Sequence, residues 1–341
     1  METEALQCPL KPKDFASDQE VKWCPGCGDY AVLNAVQRAL SELNVKKEDV
    51  TFVSGIGCSS RFPYYMDTYG FHTIHGRAAA IATGVKVANP NLSVWVVSGD
   101  GDSLAIGGNH FIHAVRRNVN MNLILFNNEI YGLTKGQFSP TSATGIKTKS
   151  SPQGTIDRAF NPAELALGAQ SSFYARVPDT DVKLMTNVMI SAEKHQGLSL
   201  VEVLQNCVIF NDKVHAALTG KDTKADNQLI LEHGQPMLFG IDKTKGLRLN
   251  GLELEVVTLG EKGITEKDIL VHDETIVNPT LHYMLARMRL PELPIAMGVI
   301  RNVGKNVYDK ALHEQIKSEK TNSKYKNLND LFLSGNTFKV S

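Results

Sequence analysis

The sequence predicts an α/β fold built on a doubly wound, mostly parallel β-sheet. Three observations carry this prediction: the strand-like segments are short and continuously apolar, helical segments separate them, and glycines follow several of them. Continuously apolar strands that alternate with helices are typical of parallel sheets covered by helices on both faces. The 341 residues are enough to bury a core without disulfides.

The predicted elements run in order from a first helix that begins after Gly28. The predicted strands are 51–57, 93–101, 122–128, 172–177 and 198–204, and the later helices are 76–89, 109–117, 162–169 and 182–194. We therefore assign residues 28–212 to one α/β domain. Residues 1–27 form an N-terminal arm with a Cys-x-x-Cys pair. Residues 213–341 form an irregular C-terminal extension that suits a segment lying over the core or over a partner.

Composition and charge exclude several classes of protein. The 36 basic and 36 acidic side chains give zero formal net charge, which argues against a nucleic-acid-binding protein. No apolar run approaches the roughly 20 residues of a membrane span. The N-terminal residues lack the apolar region of a signal peptide. We therefore expect no membrane association, and a cytoplasmic protein whose five cysteines are reduced.

A Gly-Asp-Gly-Asp turn at residues 99–102 follows one predicted strand, and the next strand ends in Asn127-Asn128. Ligands of open parallel sheets bind beyond the carboxyl ends of the strands, where glycines let the backbone approach a phosphate. A carboxylate beside a phosphate requires a cation between them, and Mg²⁺ is held in this way. Asp100, the Asn128 amide and a nearby backbone carbonyl are therefore candidate ligands. Taken alone, a Gly-Asp-Gly turn is more often an ordinary helix-capping turn.

The cysteines suggest a second site. Cys24 and Cys27 form a Cys-x-x-Cys pair after Trp23, which is also a thioredoxin-type pattern, but the preceding residues are poor strand sequence. Cys58 and Cys207 each follow a predicted strand end, so they can supply two further thiolates at the same sheet edge. By ligand type, four thiolates suit Zn²⁺ or an iron–sulfur cluster equally. Cys8 is left over.

The pairing of GDG with NN resembles the thiamine-diphosphate-binding motif. Taken together, the motifs of this sequence resemble the β subunit of 2-oxoacid:ferredoxin oxidoreductases, and the 2-oxoglutarate-oxidising members most closely. The resemblance runs from residue 23 to about residue 212. Its segments are WCPGCGDYAVLNA, SGIGCSSRFPYY, HTIHGRAAAIATGVK, GDGDSLAIGGNH and FNNEIYGLTKGQFSPTS. It implies a sheet of the thiamine-diphosphate-binding type, with a cluster-binding N-terminal arm and a C-terminal extension.

The resemblance also implies the site residues. Mg²⁺ would be held by Asp100, Asn128 and the main-chain carbonyl of Ile130, and a 4Fe-4S cluster by Cys24, Cys27, Cys58 and Cys207. The implied thiamine contacts are Ile56, Gly57, Cys58, Ser59, His75, Gly101, Asp102, Gly132 and Leu133, with Ile106 as the apolar wedge behind the bent cofactor. Arg61 and Lys135 match cationic positions near the substrate.

The activity implied is thiamine-dependent oxidative decarboxylation of 2-oxoglutarate with coenzyme A to succinyl-CoA and CO₂. Electrons would pass through the cluster to ferredoxin, and the same site would serve the reverse reaction. The catalytic glutamate would come from a partner α subunit, within a dimer of αβ units. The GQFSPTS loop and the extension are then candidate partner surfaces, or else solvated segments. The alternatives are pyruvate or a branched-chain 2-oxoacid as substrate, or a non-catalytic zinc or thioredoxin-like binding protein.

Overall fold

A computed structural model describes residues 10–338 and 340, so Cys8 lies outside the described residues. Its strands are β1 (Val50–Ser54), β2 (Tyr69–His72), β3 (Ser93–Gly99), β4 (Met121–Asn127), β5 (Ile130–Tyr131), β6 (Gln137–Phe138), β7 (Phe173–Pro178), β8 (Leu198–Leu204), β9 (Gln228–Ile230), β10 (Leu238–Phe239), β11 (Lys245–Asn250), β12 (Glu253–Thr258) and β13 (Ile295–Asn302). Within the described ranges, eight strands form the main sheet, in the order β2-β1-β3-β4-β8-β7-β13-β9. All neighbours are parallel except β7 and β13, which confirms the mostly parallel sheet.

Helices cover both faces of this sheet. They are α1 (Asp29–Glu42), α2 (Ala78–Ala88), α3 (Asp100–Leu104), α4 (Gly108–Arg117), α5 (Pro162–Gly168), α6 (Val182–Lys194), α7 (Ala216–Thr219), α8 (Lys224–Asn227), α9 (Thr280–Arg287), α10 (Tyr308–Asn322) and α11 (Leu328–Phe332). Helices α1 and α6 pack on one face, while α2, α4, α5 and α9 pack on the other. No helix in the described part of the chain is long and apolar enough to span a membrane.

Two apolar clusters fill the space between the sheet and its helices. In β3, Val94 and Val96 belong to one cluster, whereas Trp95 and Val97 belong to the other. This alternation follows from the two-residue period of a strand, because successive side chains point to opposite faces. A strand buried on both faces has no polar side, which is why the central strands are continuously apolar in the sequence.

The main sheet extends beyond the predicted domain boundary at residue 212. Strand β13 pairs antiparallel with β7, and β9 pairs with β13 at the outer edge. Gly298 and Arg301 interrupt the apolar pattern of β13, so the sequence alone did not indicate this strand. Arg301 is nevertheless only 3% exposed, because its guanidinium donates to the backbone carbonyls of Ser171, Ile276 and Val277. Part of the C-terminal extension therefore completes the sheet.

Candidate functional site

A cavity of about 420 Å³ lies beside the turns that follow β1, β3 and β4. Parallel strands present their carboxyl ends at one edge of the sheet, so turns that are far apart in the sequence meet here. The cavity brings together most of the residues predicted to hold magnesium and thiamine. They are Ile56, Gly57, Cys58, Ser59, His75, Asp100, Gly101, Asp102, Asn128, Ile130, Gly132 and Leu133.

Asp102 connects three segments around the cavity. Its carboxylate is 2% exposed, and Oδ1 accepts from the backbone nitrogens of Ile56 at 3.2 Å and Gly76 at 2.7 Å. The same oxygen lies 2.6 Å from Nδ1 of His75, while Oδ2 accepts from the Ser98 hydroxyl at 2.5 Å. Since both oxygens are engaged within the protein, Asp102 acts on the cavity by positioning its neighbours.

The Asp102 contact fixes the orientation of His75. An ionised carboxylate can only accept hydrogen bonds, so this contact assigns the proton to Nδ1 of the imidazole. The ring also lies against Tyr131, with 6.2 Å between the ring centroids. His75 therefore lines the cavity with a defined ring plane and with Nε2 as its second nitrogen.

Hydroxyl groups from the segment after β6 hold Asp100. The hydroxyls of Ser139, at 2.6 Å, and of Thr141 both donate to its Oδ2, and Ser142 donates to the backbone carbonyl of Glu129. All three hydroxyl residues are buried. The expectation that the GQFSPTS loop is a partner surface or a solvated segment is wrong for these residues, because their hydroxyls support the cavity from within the fold.

The turn after β4 supplies the other two predicted magnesium ligands. Oδ1 of Asn128 accepts from the backbone nitrogen of Ile130 at 3.2 Å, and Nδ2 donates to Oε1 of Gln205 at 2.8 Å. Burial raises the pKa of Asp100 to about 6, so a cation at this carboxylate would offset the cost of burying its charge. A carboxylate, an amide oxygen and a main-chain carbonyl are donors that Mg²⁺ prefers, and the site fits this ion.

The four predicted cluster cysteines converge beside the cavity. A Cβ atom at Gly132 would lie 3.4 Å from the Cys207 sulfur and 3.6 Å from the Cys58 sulfur. Burial, and then the charge of Asp29, raises the pKa of Cys58 to about 12, with smaller contributions from Cys207 and Cys24. The same causes raise the pKa of Cys27, to which Cys58 and Cys207 also contribute.

The described cysteines, which are Cys24, Cys27, Cys58 and Cys207, are free thiols. Among residues 10–338, no group of three or more His, Cys, Asp or Glu side chains is arranged to hold one metal ion. Four thiolates are the donor set of a 4Fe-4S cluster. The absence of a side chain at Gly132 leaves space beside the Cys58 and Cys207 sulfurs, and the four thiols match the donor set of such a cluster.

Trp23 joins the Cys-x-x-Cys turn to the Cys58 turn. Its indole Nε1 donates to the backbone carbonyl of Cys58 at 2.7 Å, and its ring packs edge-on against Tyr65. The turn itself closes through the Cys27 nitrogen and the Cys24 carbonyl. Residues 17–27 contain no strand, whereas the thioredoxin-type motif would follow one.

Three predicted residues lie outside the lining of the cavity. Nε of Arg61 donates to the Tyr65 hydroxyl at 2.9 Å, and Lys135 lies in the turn after β5 with a φ of 76°. Ile106 is 55% exposed, and its Cγ2 atom lies 2.7 Å from the position that a Cβ of Gly76 would take. Their assigned roles stay predictions, because the surface that a partner would add is outside this chain.

Tyr131 is the main cavity residue that the sequence did not indicate. Its hydroxyl donates to the backbone carbonyl of Gly101 at 2.9 Å, and a Cβ at Gly101 would lie 2.3 Å from its ring. A side chain at position 101 would clash with the Tyr131 ring. Packing therefore requires glycine there, independently of whether the backbone also approaches a phosphate. Residues that also line the cavity without having been predicted are Asp29, Gly99, Phe126, Thr134 and Gln137.

Comparisons with known proteins identify the family of this chain. The C-terminal TPP-binding domain family of thiamine pyrophosphate enzymes matches residues 55–203. The 2-oxoacid:ferredoxin oxidoreductase β subunit of a Sulfolobus species is 52% identical over 192 residues, which are 56% of this chain and 63% of the relative. The 2-oxoglutarate oxidoreductase subunit KorB of Mycobacterium tuberculosis is 50% identical over 309 residues, 90% of this chain and 82% of KorB. The chain belongs to the β subunits of 2-oxoacid:ferredoxin oxidoreductases.

A solved structure extends the likeness of this β subunit to nearly the whole chain. The 2-oxoglutarate:ferredoxin oxidoreductase of Magnetococcus marinus, with 2-oxoglutarate, coenzyme A and succinyl-CoA bound, aligns with a TM-score of 0.76 and 31% identity. The alignment covers 96% of this chain and 97% of that one. The protein thus belongs to a family of oxidoreductase subunits. Its membership among the β subunits implies that an α subunit is its partner.

Proposed function

We propose that this β subunit binds thiamine diphosphate and Mg²⁺ in the 420 Å³ cavity and carries a 4Fe-4S cluster, as part of a 2-oxoglutarate:ferredoxin oxidoreductase. The observation that carries the proposal is that one cavity is lined by Asp100, Asn128 and Cys58. The predicted magnesium ligands and a predicted cluster ligand therefore lie around a single space. When bound, thiamine supplies the electron sink for decarboxylation of a 2-oxoacid.

The residues of this chain would hold the diphosphate end of the cofactor. Asp100, Asn128 and the Ile130 carbonyl would bind Mg²⁺, and the hydroxyls of Ser139 and Thr141 keep the Asp100 carboxylate in place. The Asp102 network would keep His75 and the backbone of Ile56 at the cavity wall, where both line the space for the cofactor.

Electron transfer would use the cysteine group beside the cavity. Cys58 lines the cavity and lies near Cys207, so a cluster on these cysteines would adjoin the cofactor. An adjacent cluster accepts electrons one at a time, and ferredoxin would receive them. Coenzyme A would take up the acyl group to give succinyl-CoA, with release of CO₂.

The α subunit would supply the catalytic glutamate and close the cavity, within a dimer of αβ units. The choice of 2-oxoglutarate is supported by the names of the relatives and by the ligands bound in the Magnetococcus enzyme. A second carboxylate on the substrate requires a cation, for which Arg61 and Lys135 are our candidates. Pyruvate and branched-chain 2-oxoacids are the competing substrates.

The experiment is reduction of ferredoxin by the purified α/β complex with 2-oxoglutarate, pyruvate or 2-oxoisovalerate, each with coenzyme A. We expect 2-oxoglutarate to be fastest, and Asp100→Ala to abolish the activity because Mg²⁺ loses its carboxylate ligand. Asp157→Ala, which changes an exposed aspartate of the 132–161 segment, should leave it unchanged. Equal rates with the three acids would contradict the substrate assignment, and full activity of Asp100→Ala would contradict the magnesium site.

A further inference from the structure

Gln205 contacts both proposed cofactor sites with one side chain. It follows the end of β8 and is 1% exposed. Its Oε1 accepts from Nδ2 of Asn128 at 2.8 Å, and its Nε2 donates to the Cys27 sulfur at 3.3 Å and to the backbone carbonyl of Asn206 at 2.6 Å. One buried amide thus joins a proposed magnesium ligand to a proposed cluster ligand.

We propose that Gln205 is a positioning residue that orients the Asn128 amide toward Mg²⁺ and raises the reduction potential of the cluster through its hydrogen bond to Cys27. The inference rests on the proposed function, because it concerns the residues that would hold both groups. In this proposal the Gln205 side chain connects the two sites, through one hydrogen bond to Asn128 and another to Cys27.

The effect on Asn128 follows from the chemistry of an amide. The two ends of an asparagine side chain have nearly the same shape, but only the oxygen can bind a cation. Gln205 presents its oxygen to the Asn128 nitrogen, which leaves Oδ1 at the Ile130 turn where the metal is proposed. The Ile130 N–H favours this orientation from the Oδ1 side, and Gln205 fixes it from the Nδ2 side. Partners of metal ligands typically change metal affinity by about 10–100-fold when they are removed.

The effect on the cluster follows from the hydrogen bond to sulfur. Reduction adds negative charge to a cluster, and a donor to a ligand sulfur stabilises the reduced form more than the oxidised form. Hydrogen bonds to the sulfurs are among the factors that set cluster potentials. Because Gln205 is buried and its second N–H is held by the Asn206 carbonyl, the N–H that faces Cys27 has a fixed direction.

The backbone around Gln205 is arranged for this contact. Its own nitrogen donates to the Asn127 carbonyl at 3.0 Å, which ties the end of β8 to the end of β4. A Cβ at Gly28 would lie 3.0 Å from Cγ of Gln205 and 1.9 Å from Oδ2 of Asp179. The missing side chain at Gly28, the residue after Cys27, therefore lets the amide reach the sulfur.

The test uses the α/β complex purified anaerobically, with the variants Gln205→Met and Gln205→Glu. Gln228→Met is the matched control, because it removes an amide that donates to the Leu218 carbonyl in the C-terminal part of the chain, away from Asn128 and Cys27. The measurements are the midpoint potential of the cluster, from a redox titration followed by electron paramagnetic resonance, and the Mg²⁺ concentration that half-saturates thiamine diphosphate binding. Neither measurement depends on turnover.

We expect Gln205→Met to lower the potential and to raise the Mg²⁺ requirement about tenfold. Gln205→Glu should lower the potential but keep a nearly wild-type Mg²⁺ requirement, because its carboxylate still accepts from Asn128. Gln228→Met should match the wild type in both. A wild-type potential in a Gln205→Glu complex that retains its iron would overturn the coupling, even if Gln205→Met does not assemble. A wild-type complex that holds no cluster would instead overturn the proposed function.

Discussion

Asp100 and Asp102 are separated by one glycine, yet their carboxylates have different surroundings. Both oxygens of Asp102 are engaged by donors of the protein, including two backbone nitrogens. Asp100 accepts hydroxyl donors at Oδ2, and it lines the cavity next to Asn128. This difference supports our proposal that Asp100 binds the metal, whereas Asp102 supports the cavity wall.

Asp29 is a third buried carboxylate of the cavity. It is 1% exposed, and its Oδ2 has no hydrogen-bond partner among the described residues. Burial, and then the charge of Asp179, raises its pKa to about 7 from an ordinary value of 3.8. The folded chain therefore holds this proton more tightly than the unfolded chain, and the resulting stabilisation is lost as the pH rises through about 7.

We expect Asp29→Asn to stabilise the cluster-free chain above pH 7, because asparagine cannot ionise. The gain over the wild type should be at most about 4 kcal/mol, from the size of the pKa shift. It should shrink as the pH falls toward 4. Urea unfolding at pH 5 and pH 8 measures it, with the exposed Asp157→Asn as the control. A gain of the same size at both pH values would contradict the assigned pKa.

Residues that belong to local motifs could be predicted from the sequence, and residues that act across the fold could not. The GDG turn and the Asn127-Asn128 pair indicate a metal site because each follows a strand in the sequence. Ser139 and Thr141 reach Asp100 from a segment about 40 positions away, and hydroxyls in a Ser- and Thr-rich stretch have no local signal of burial. The packing of Tyr131 against Gly101 likewise has no local signal in the sequence.

At the scale of elements, the prediction succeeded where the pattern is periodic. Helix α6 and strand β8 have the predicted bounds, 182–194 and 198–204, because apolar residues recur at helical spacing in α6 and make up five of the seven residues of β8. Strand β13 was missed because a buried arginine and a glycine interrupt its pattern. Its burial depends on carbonyls supplied by distant segments, such as those of Ser171 and Ile276, which no sequence window contains.

This placement of β13 predicts that residues 213–341 cannot be removed as a unit. A chain that ends at residue 212 would leave the edge of β7 unpaired and would expose the core residues that pack with Leu229, Leu285 and Ile300. We expect this shortened chain to aggregate, and size-exclusion chromatography would detect the aggregates.

A chain that ends at residue 323 is the matched control. It keeps β13 and α10 and loses α11, whose Leu328, Leu331 and Phe332 are exposed. It should elute like the full chain and keep its circular dichroism spectrum. A folded, monodisperse chain ending at residue 212 would show that the predicted boundary is a true domain boundary.

For the whole molecule, the notable feature is that exposed apolar side chains lie at and near the open cavity. Leu133 is a wall of the cavity but remains 51% exposed, and Ile74 beside His75 is 70% exposed. Large apolar side chains around an open cavity are typical of a surface that a partner covers. This supports the proposal that the α subunit closes the cavity.

We propose that one edge of the sheet holds both thiamine diphosphate and a 4Fe-4S cluster. The most direct measurement is iron, sulfide, zinc and thiamine analysis of the α/β complex purified anaerobically. We predict about four irons and four sulfides per β chain, as a 4Fe-4S cluster requires, together with bound thiamine diphosphate. Stoichiometric zinc without sulfide would contradict the proposed cluster, and a complex that holds no thiamine would contradict the proposed cofactor site.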